Sequence, residues 1–185
     1  MKMKNIYLKR FKPHIFIGIC CIIGLFGCRD DDPVLQPTKT VVTTENQEES
    51  IQGFYLLNQG NMGSNKATLD YFDYTTGIYT KNIYAATNPN VVSELGDVGN
   101  DLAIYGNKLY AVINCSNFVE VMDAKTAKHI GSIEIPNCRY ITFYNGKAYV
   151  SSYAGPVQVG SNNDQIGYVA EIDTATLQIT RTVTV

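Results

Sequence analysis

The chain has no tryptophan and only two histidines in 185 residues. His14 lies in the first thirty residues, which leaves His129 as the imidazole available to a folded domain. Side-chain proton transfer relies on histidine most often, and a Ser-His-Asp set built on that one base is not credible. No His/Cys cluster has the spacing of a zinc site. The glycines of "NQGNMGSN", Asn58 to Asn65, lack the Lys-Ser/Thr pair and the following helix of a phosphate-binding loop, so the stretch reads as a loop. Basic residues are scarce too. Of fifteen Lys and Arg, five stand before His14, leaving ten against seventeen acidic residues, a net charge of −7 for the rest. A nucleic-acid partner needs clustered Lys and Arg. Enzyme, metal centre, bound cofactor and nucleic-acid binder are therefore all disfavoured.

What the chain does have begins with a basic head, Lys2, Lys4, Lys9, Arg10 and Lys12. Ile15 to Gly27 follows without a charge. That run is too short for the roughly 20 residues of a membrane-spanning helix, and it reads as a secretion signal. It ends in "LFGC", Leu25 to Cys28, which resembles a bacterial lipobox. The resemblance implies cleavage before Cys28, lipid on its sulfur and attachment to a membrane. Asp30, Asp31 and Asp32 resemble the export signal of surface lipoproteins in some Gram-negative bacteria. They imply an outer-membrane protein facing the cell exterior. Residues 1–27 are thus expected to be a signal peptide, 28–52 a lipidated cysteine with a flexible linker, and 53–185 the folded part.

The folded part repeats itself. "YGNKLYAVI" from Tyr105 and "FYNGKAYVS" from Phe143 align at a shift of 39, with Lys108 on Lys147 and Tyr110 on Tyr149. Asp73, Asp123 and Asp173 stand fifty residues apart, each closing an apolar run and opening a Thr-rich turn. Aspartate there accepts backbone N–H bonds from the turn, a structural role. Around these marks, short apolar runs and turn signals repeat in the same order, which means all-β structure. Four strands every 40 to 50 residues is the period of a β-propeller blade. The expected blades are about 53–96, 97–136 and 137–185, with "IYTKNIYA" the last strand of the first. In "KLYAVI", Leu109, Ala111 and Ile113 face one way and Tyr110 and Val112 the other, as in a strand buried on both sides. In "LQITRTVTV" apolar and polar residues alternate, which suits a half-exposed outer strand.

"NKLYAVINCSNFVEVMDAKTAKHIGSIEI" resembles the YVTN or YncE-like family of secreted β-propellers, and the likeness extends over Gly53 to Val185. Propellers close with four to eight blades, so the chain is expected to be the N-terminal part of a seven- or eight-bladed ring. The first unit lacks an innermost strand.

With strands alternating up and down, ends of second strands and starts of first strands collect on one face. Asn58, Gln59, Asn61, Asn114, Asn117 and Tyr153 come from the former; Asn100, Asp101, Arg139 and Tyr140 from the latter. These side chains suit a polar organic ligand. Cys115 and Cys138 fall on the same face, either paired as a disulfide or as two free thiols. Tyr110 to Asp123 spans 13 residues but Tyr149 to Asp173 spans 24, and the excess in "AGPVQVGSNNDQIG" also belongs to this face. "NQGNMGSNKATLDYFD" and "NCRYITFYNGKAYVSSYAGPV" resemble the cobalamin-binding lipoprotein propellers of the BtuG type. That likeness implies a corrinoid ligand and a TonB-dependent outer-membrane transporter as partner. The competing expectation is an envelope scaffold without a small ligand.

Overall fold

A computed structural model describes residues 36–41, 51–91, 94–155 and 165–185. The signal segment, Cys28, the acidic tract and residues 156–164 of the insertion lie outside them. The described residues belong to one compact unit, Val34–Val185.

Runs of Val, Ile, Tyr and Thr favour a pleated, half-buried surface, and Asn, Gly and Asp break them into short strands. Chain order starts with β1 (Thr38–Val41), β2 (Gly53–Asn58), β3 (Thr68–Asp73), β4 (Ile78–Lys81) and a short helix α1 (Ile83–Thr87). Then come β5 (Gly99–Tyr105), β6 (Lys108–Ile113), β7 (Phe118–Asp123) and β8 (His129–Glu134). The last four are β9 (Cys138–Tyr144), β10 (Lys147–Ser152), β11 (Tyr168–Asp173) and β12 (Ile179–Thr184). They form three four-stranded sheets, ordered β2-β3-β4-β1, β5-β6-β7-β8 and β9-β10-β11-β12. Every pairing is antiparallel. The fold is all-β, and its sheets are arranged as propeller blades.

The repeat is visible rung by rung. Gly53 pairs with Asp73, Lys108 with Asp123 and Lys147 with Asp173. Two residues inward, Tyr55 lies opposite Tyr71, Tyr110 opposite Val121 and Tyr149 opposite Glu171. The three tyrosines therefore hold one equivalent position. Each Asp closes its turn alike. Oδ1 of Asp73 accepts from Thr75 N at 2.8 Å, that of Asp123 from Thr126 N at 2.9 Å and that of Asp173 from Thr176 N at 3.0 Å. The fourth residue on, Gly77, Ala127 or Leu177, donates its N–H to the Asp carbonyl and takes a positive φ.

This register exposes a difference in the first sheet. Its β2, β3 and β4 match the second, third and fourth strands of the others, so among the described residues no innermost strand precedes β2. Its fourth member is β1, which pairs on the far side of β4 from within the stretch read as linker. All four β1 residues are exposed. The expected strand "IYTKNIYA" is also shorter. Asn82 takes a left-handed φ of 49° and its side chain accepts from Ala85 N, so it caps a helix and ends the strand at Lys81. β12 is exposed along its whole length, not on one face only.

The middle sheet is buried on both sides. Leu109, Ala111, Ile113 and Met122 pack with Leu69 of the first sheet and Tyr84 of α1. Tyr110, Val112, Val119 and Val121 pack with Ile141, Ala148, Val150, Ala170 and Ile172 of the third. Each fully buried Val, Leu or Ile stabilises by about 1.5–3 kcal/mol, so these two apolar layers are the main cohesion between sheets. β5 lies against both β9 and β2. At its start a Cβ on Gly99 would come within 2.8 Å of the Leu57 side chain, so only glycine allows the approach.

Candidate ligand-binding rim

The rim opposite the Asp turns begins with a backbone irregularity. β5 carries an extra residue between Gly99 and Asp101, and β9 shifts register against β10 between Val150 and Ser152. Bulges bend a strand and re-aim side chains. Here they fall at the same place in two successive sheets, at Asn100 in one and at Arg139 with Tyr140 in the other.

Those residues join the sheets to each other. Asn100 Nδ2 donates to the Arg139 carbonyl, and Asp101 Oδ2 accepts from Ile141 N at 2.9 Å. Asn114, at the end of β6, is 2% exposed. Its Nδ2 donates to Asn137 Oδ1 at 2.9 Å and to the Cys138 carbonyl at 2.8 Å. The Arg139 Nη1 reaches Asn114 Oδ1 at 3.5 Å, and the guanidinium lies over the Tyr153 ring at 5.2 Å. Asn114 and Tyr153 are themselves equivalent, since each donates its N–H to the residue before a first strand, Val98 or Asn137. Arg139 thus sits between matching positions of two blades. Its Nε is shielded from solvent and has no partner.

Of the ten ligand residues expected from sequence, Asn100, Asp101, Asn114, Arg139 and Tyr153 meet in this network. Tyr140 borders it, 59% exposed, its N–H bonded to Ser151 Oγ. Asn117 takes a φ of 62° and its Oδ1 accepts from Asn137 N at 2.8 Å, a turn-stabilising role. Asn58, Gln59 and Asn61 belong to the first sheet's loop. Asn58 Nδ2 bonds Thr68 Oγ1 within its own hairpin, the Gln59 carbonyl accepts from Gly99 N, and the Asn61 carbonyl from Ser64 N. Two members were not anticipated. Asn137 is the buried amide that pairs with Asn114; its place before Cys138, in an Asn-rich junction, was the available signal. Asp97 accepts from Gly63 N at 2.7 Å and Asn65 N at 3.4 Å, holding the glycine loop at this end.

Cys115 and Cys138 are both free thiols. Burial raises the Cys138 pKa to about 12, and its Sγ sits near the Ile113 and Phe118 carbonyls. Cys115, half-buried, is also raised, by desolvation and then by Asp97, with Arg139 opposing. Neither is primed as a nucleophile. Among the described residues no group of three His, Cys, Asp or Glu is placed to hold a metal.

A second polar cluster lies between the first two sheets. Glu120, on β7, is 3% exposed, and its Oε1 accepts from Tyr84 Oη at 3.2 Å and meets His129 Nδ1. Burial raises the Glu120 carboxyl above its ordinary range, against the pull of His129 and then Tyr84. His129 is exposed yet anchored. Its backbone N–H donates to Asn88 Oδ1 at 2.8 Å, and Asn88 Nδ2 donates to the Ala127 carbonyl at 2.9 Å. The cluster ties the α1 segment to the middle sheet.

A family model described as "Domain of unknown function (DUF5074)" matches residues 52–184. The chain belongs to that family. The DUF5074 match starts one residue before β2 and ends on the last residue of β12, so it takes in the three repeated units and leaves β1 outside. No curated protein matches the chain. Among solved structures, a europium-containing methanol dehydrogenase is similar, with 14% identity and a TM-score of 0.49. That match covers 72% of this chain but only 23% of the dehydrogenase. At that distance it carries no argument about chemistry.

Proposed function

We propose that this DUF5074 chain is a lipid-anchored surface protein that captures a polar organic ligand on the bulged rim. It passes the ligand to an outer-membrane transporter and performs no chemistry on it. The reading rests on one observation above all, that Arg139 is held between Asn114 and Tyr153, equivalent positions of two successive sheets. Cation, amide and aromatic face in one place give orientation and contact area for a small ligand. Lipid on Cys28 and display by the acidic tract supply the location. A corrinoid is the ligand that the likeness to YncE-like and BtuG-type propellers favours. The three sheets are in this reading part of a longer ring of seven or eight blades. Tyr144, Lys147 and Tyr149 of the third sheet repeat the register of Tyr105, Lys108 and Tyr110, the residues by which the second sheet meets the third.

Calorimetric titration with cyanocobalamin tests the ligand. Micromolar binding that is lost in Tyr153→Ala supports it, and no heat at those concentrations removes the corrinoid. A second reading, an envelope scaffold without a small ligand, draws on the exposed Tyr140, Tyr144 and Tyr153. Aromatic side chains of this kind anchor protein interfaces. A ligand-dependent rise in Tm favours capture over the scaffold.

A further inference from the structure

We propose that the rim carries an anion subsite centred on Arg139, which takes a carboxylate or phosphate group borne on a flat apolar body. The inference deepens the capture reading and rests on it.

The charge at this rim is distributed unevenly. The carboxylates of Asp97 and Asp101, among the described residues, are already committed to backbone N–H groups: Asp97 to Gly63 and Asn65, Asp101 to Leu102 and Ile141. No described carboxylate forms an ion pair with Arg139, whereas Arg181 does pair with Glu171. The guanidinium carries five donors in a fixed fork. One reaches Asn114 at 3.5 Å, a long and weak bond, and the Nε has no partner. A shielded, half-used cation costs free energy that an acceptor from a ligand recovers.

The arginine is also pre-positioned. The Asn100 bond fixes its backbone, the β9 bulge aims it, and the Tyr153 ring supports its plane. Arginine in such a setting binds carboxylate or phosphate through two parallel N–H bonds. The Tyr153 ring, 58% exposed, lies against the guanidinium and offers apolar area to whatever carries the anion. An aromatic face beside a cation with no ion-pair partner among the described residues sets the ligand class as an organic acid or organic phosphate.

The test titrates the full chain, in separate arms, with benzoate, phenyl phosphate and neutral benzamide, followed by NMR shifts of rim amides. At least one anion should bind about tenfold tighter than benzamide, the scale of a charge-assisted bond. Arg139→Gln should abolish that preference. Arg139→Lys keeps charge and stem without the fork, so it should bind the anion more weakly than the parent while melting at the parent's temperature. Equal binding of both anions and benzamide would overturn the subsite, as would a preference unchanged in Arg139→Lys and Arg139→Gln. The two readings fail separately. Cyanocobalamin binding without any preference for anions keeps the capture reading and rejects this one. Anion binding that Arg139→Gln removes, with no response to cyanocobalamin, keeps the subsite and rejects the corrinoid.

Discussion

The second and third sheets share their rungs, yet their surroundings differ. Tyr110 has none of its surface exposed and packs against Phe143 at 4.9 Å, while Tyr149, on the same rung, is half-buried. Tyr105 stacks on Phe143 at 4.8 Å and its hydroxyl accepts from Gly146 N, whereas the equivalent Tyr144 is 73% exposed. Lys108 crosses to the third sheet's turn and donates to the Thr174 carbonyl at 2.7 Å. Lys147 instead folds back on its own Asp173 at 3.0 Å. The residue types are the same; what changes is whether a sheet covers them. Burial, not strand identity, decides what each position contributes.

Truncating the two tyrosines should have the largest and most unequal effects. Tyr110→Ala opens a cavity between two sheets and should cost about 3–5 kcal/mol. Tyr149→Ala in the 185-residue chain, where that ring is half open to solvent, should cost under about 1 kcal/mol. Urea denaturation of the two variants measures both, and equal losses would mean that the two positions are equally packed.

A smaller effect concerns Glu120. Its pKa is raised in the folded state, so the fold favours the protonated form. The stability this contributes is complete below the unfolded value of about 4.3. It is lost as pH rises through the raised folded value. Tm should therefore fall over that window, and Glu120→Gln should flatten that part of the profile while leaving the inter-sheet bonds largely in place. Asp123 and Asp173 act in the opposite sense and at lower pH, since their pKa values are lowered, chiefly by the Thr126 side chain and the Thr176 N–H respectively. Thiol labelling follows the same burial logic. Iodoacetamide should modify Cys115 well before Cys138, whose thiol burial holds near pKa 12.

The smallest change is Tyr110→Phe. The hydroxyl is buried without a partner, and burial raises its pKa to about 12. Removing it should leave stability within about 0.5 kcal/mol of the parent or improve it, since an unpaired buried group carries a desolvation cost.

Much of this was legible in sequence because the local signals are strong. Strict alternation in "KLYAVI" separates the two faces that pack against different sheets. The recurring Asp with Thr two or three residues on announces the turn that the hydrogen bonds bear out. Other features depend on partners far away in the chain. Glu120 reads as an ordinary polar residue of "FVEVMD", and only the packing of Tyr84, 36 residues earlier, makes it a buried carboxylate. β1 is four exposed residues, "TKTV", whose strand character comes from the free edge of β4. At the rim, Asn and Arg were visible as residue types, but two bulges decide which of them meet.

Native-state hydrogen exchange tests the stacked-sheet account most directly. Amides of Leu109 to Ile113 should exchange slowest, those of Ala148 to Val150 faster, and those of β12 near the rate of local fraying. If the amides of β12 proved as protected as those of β6, the middle sheet would not be the one enclosed, and the account would be contradicted.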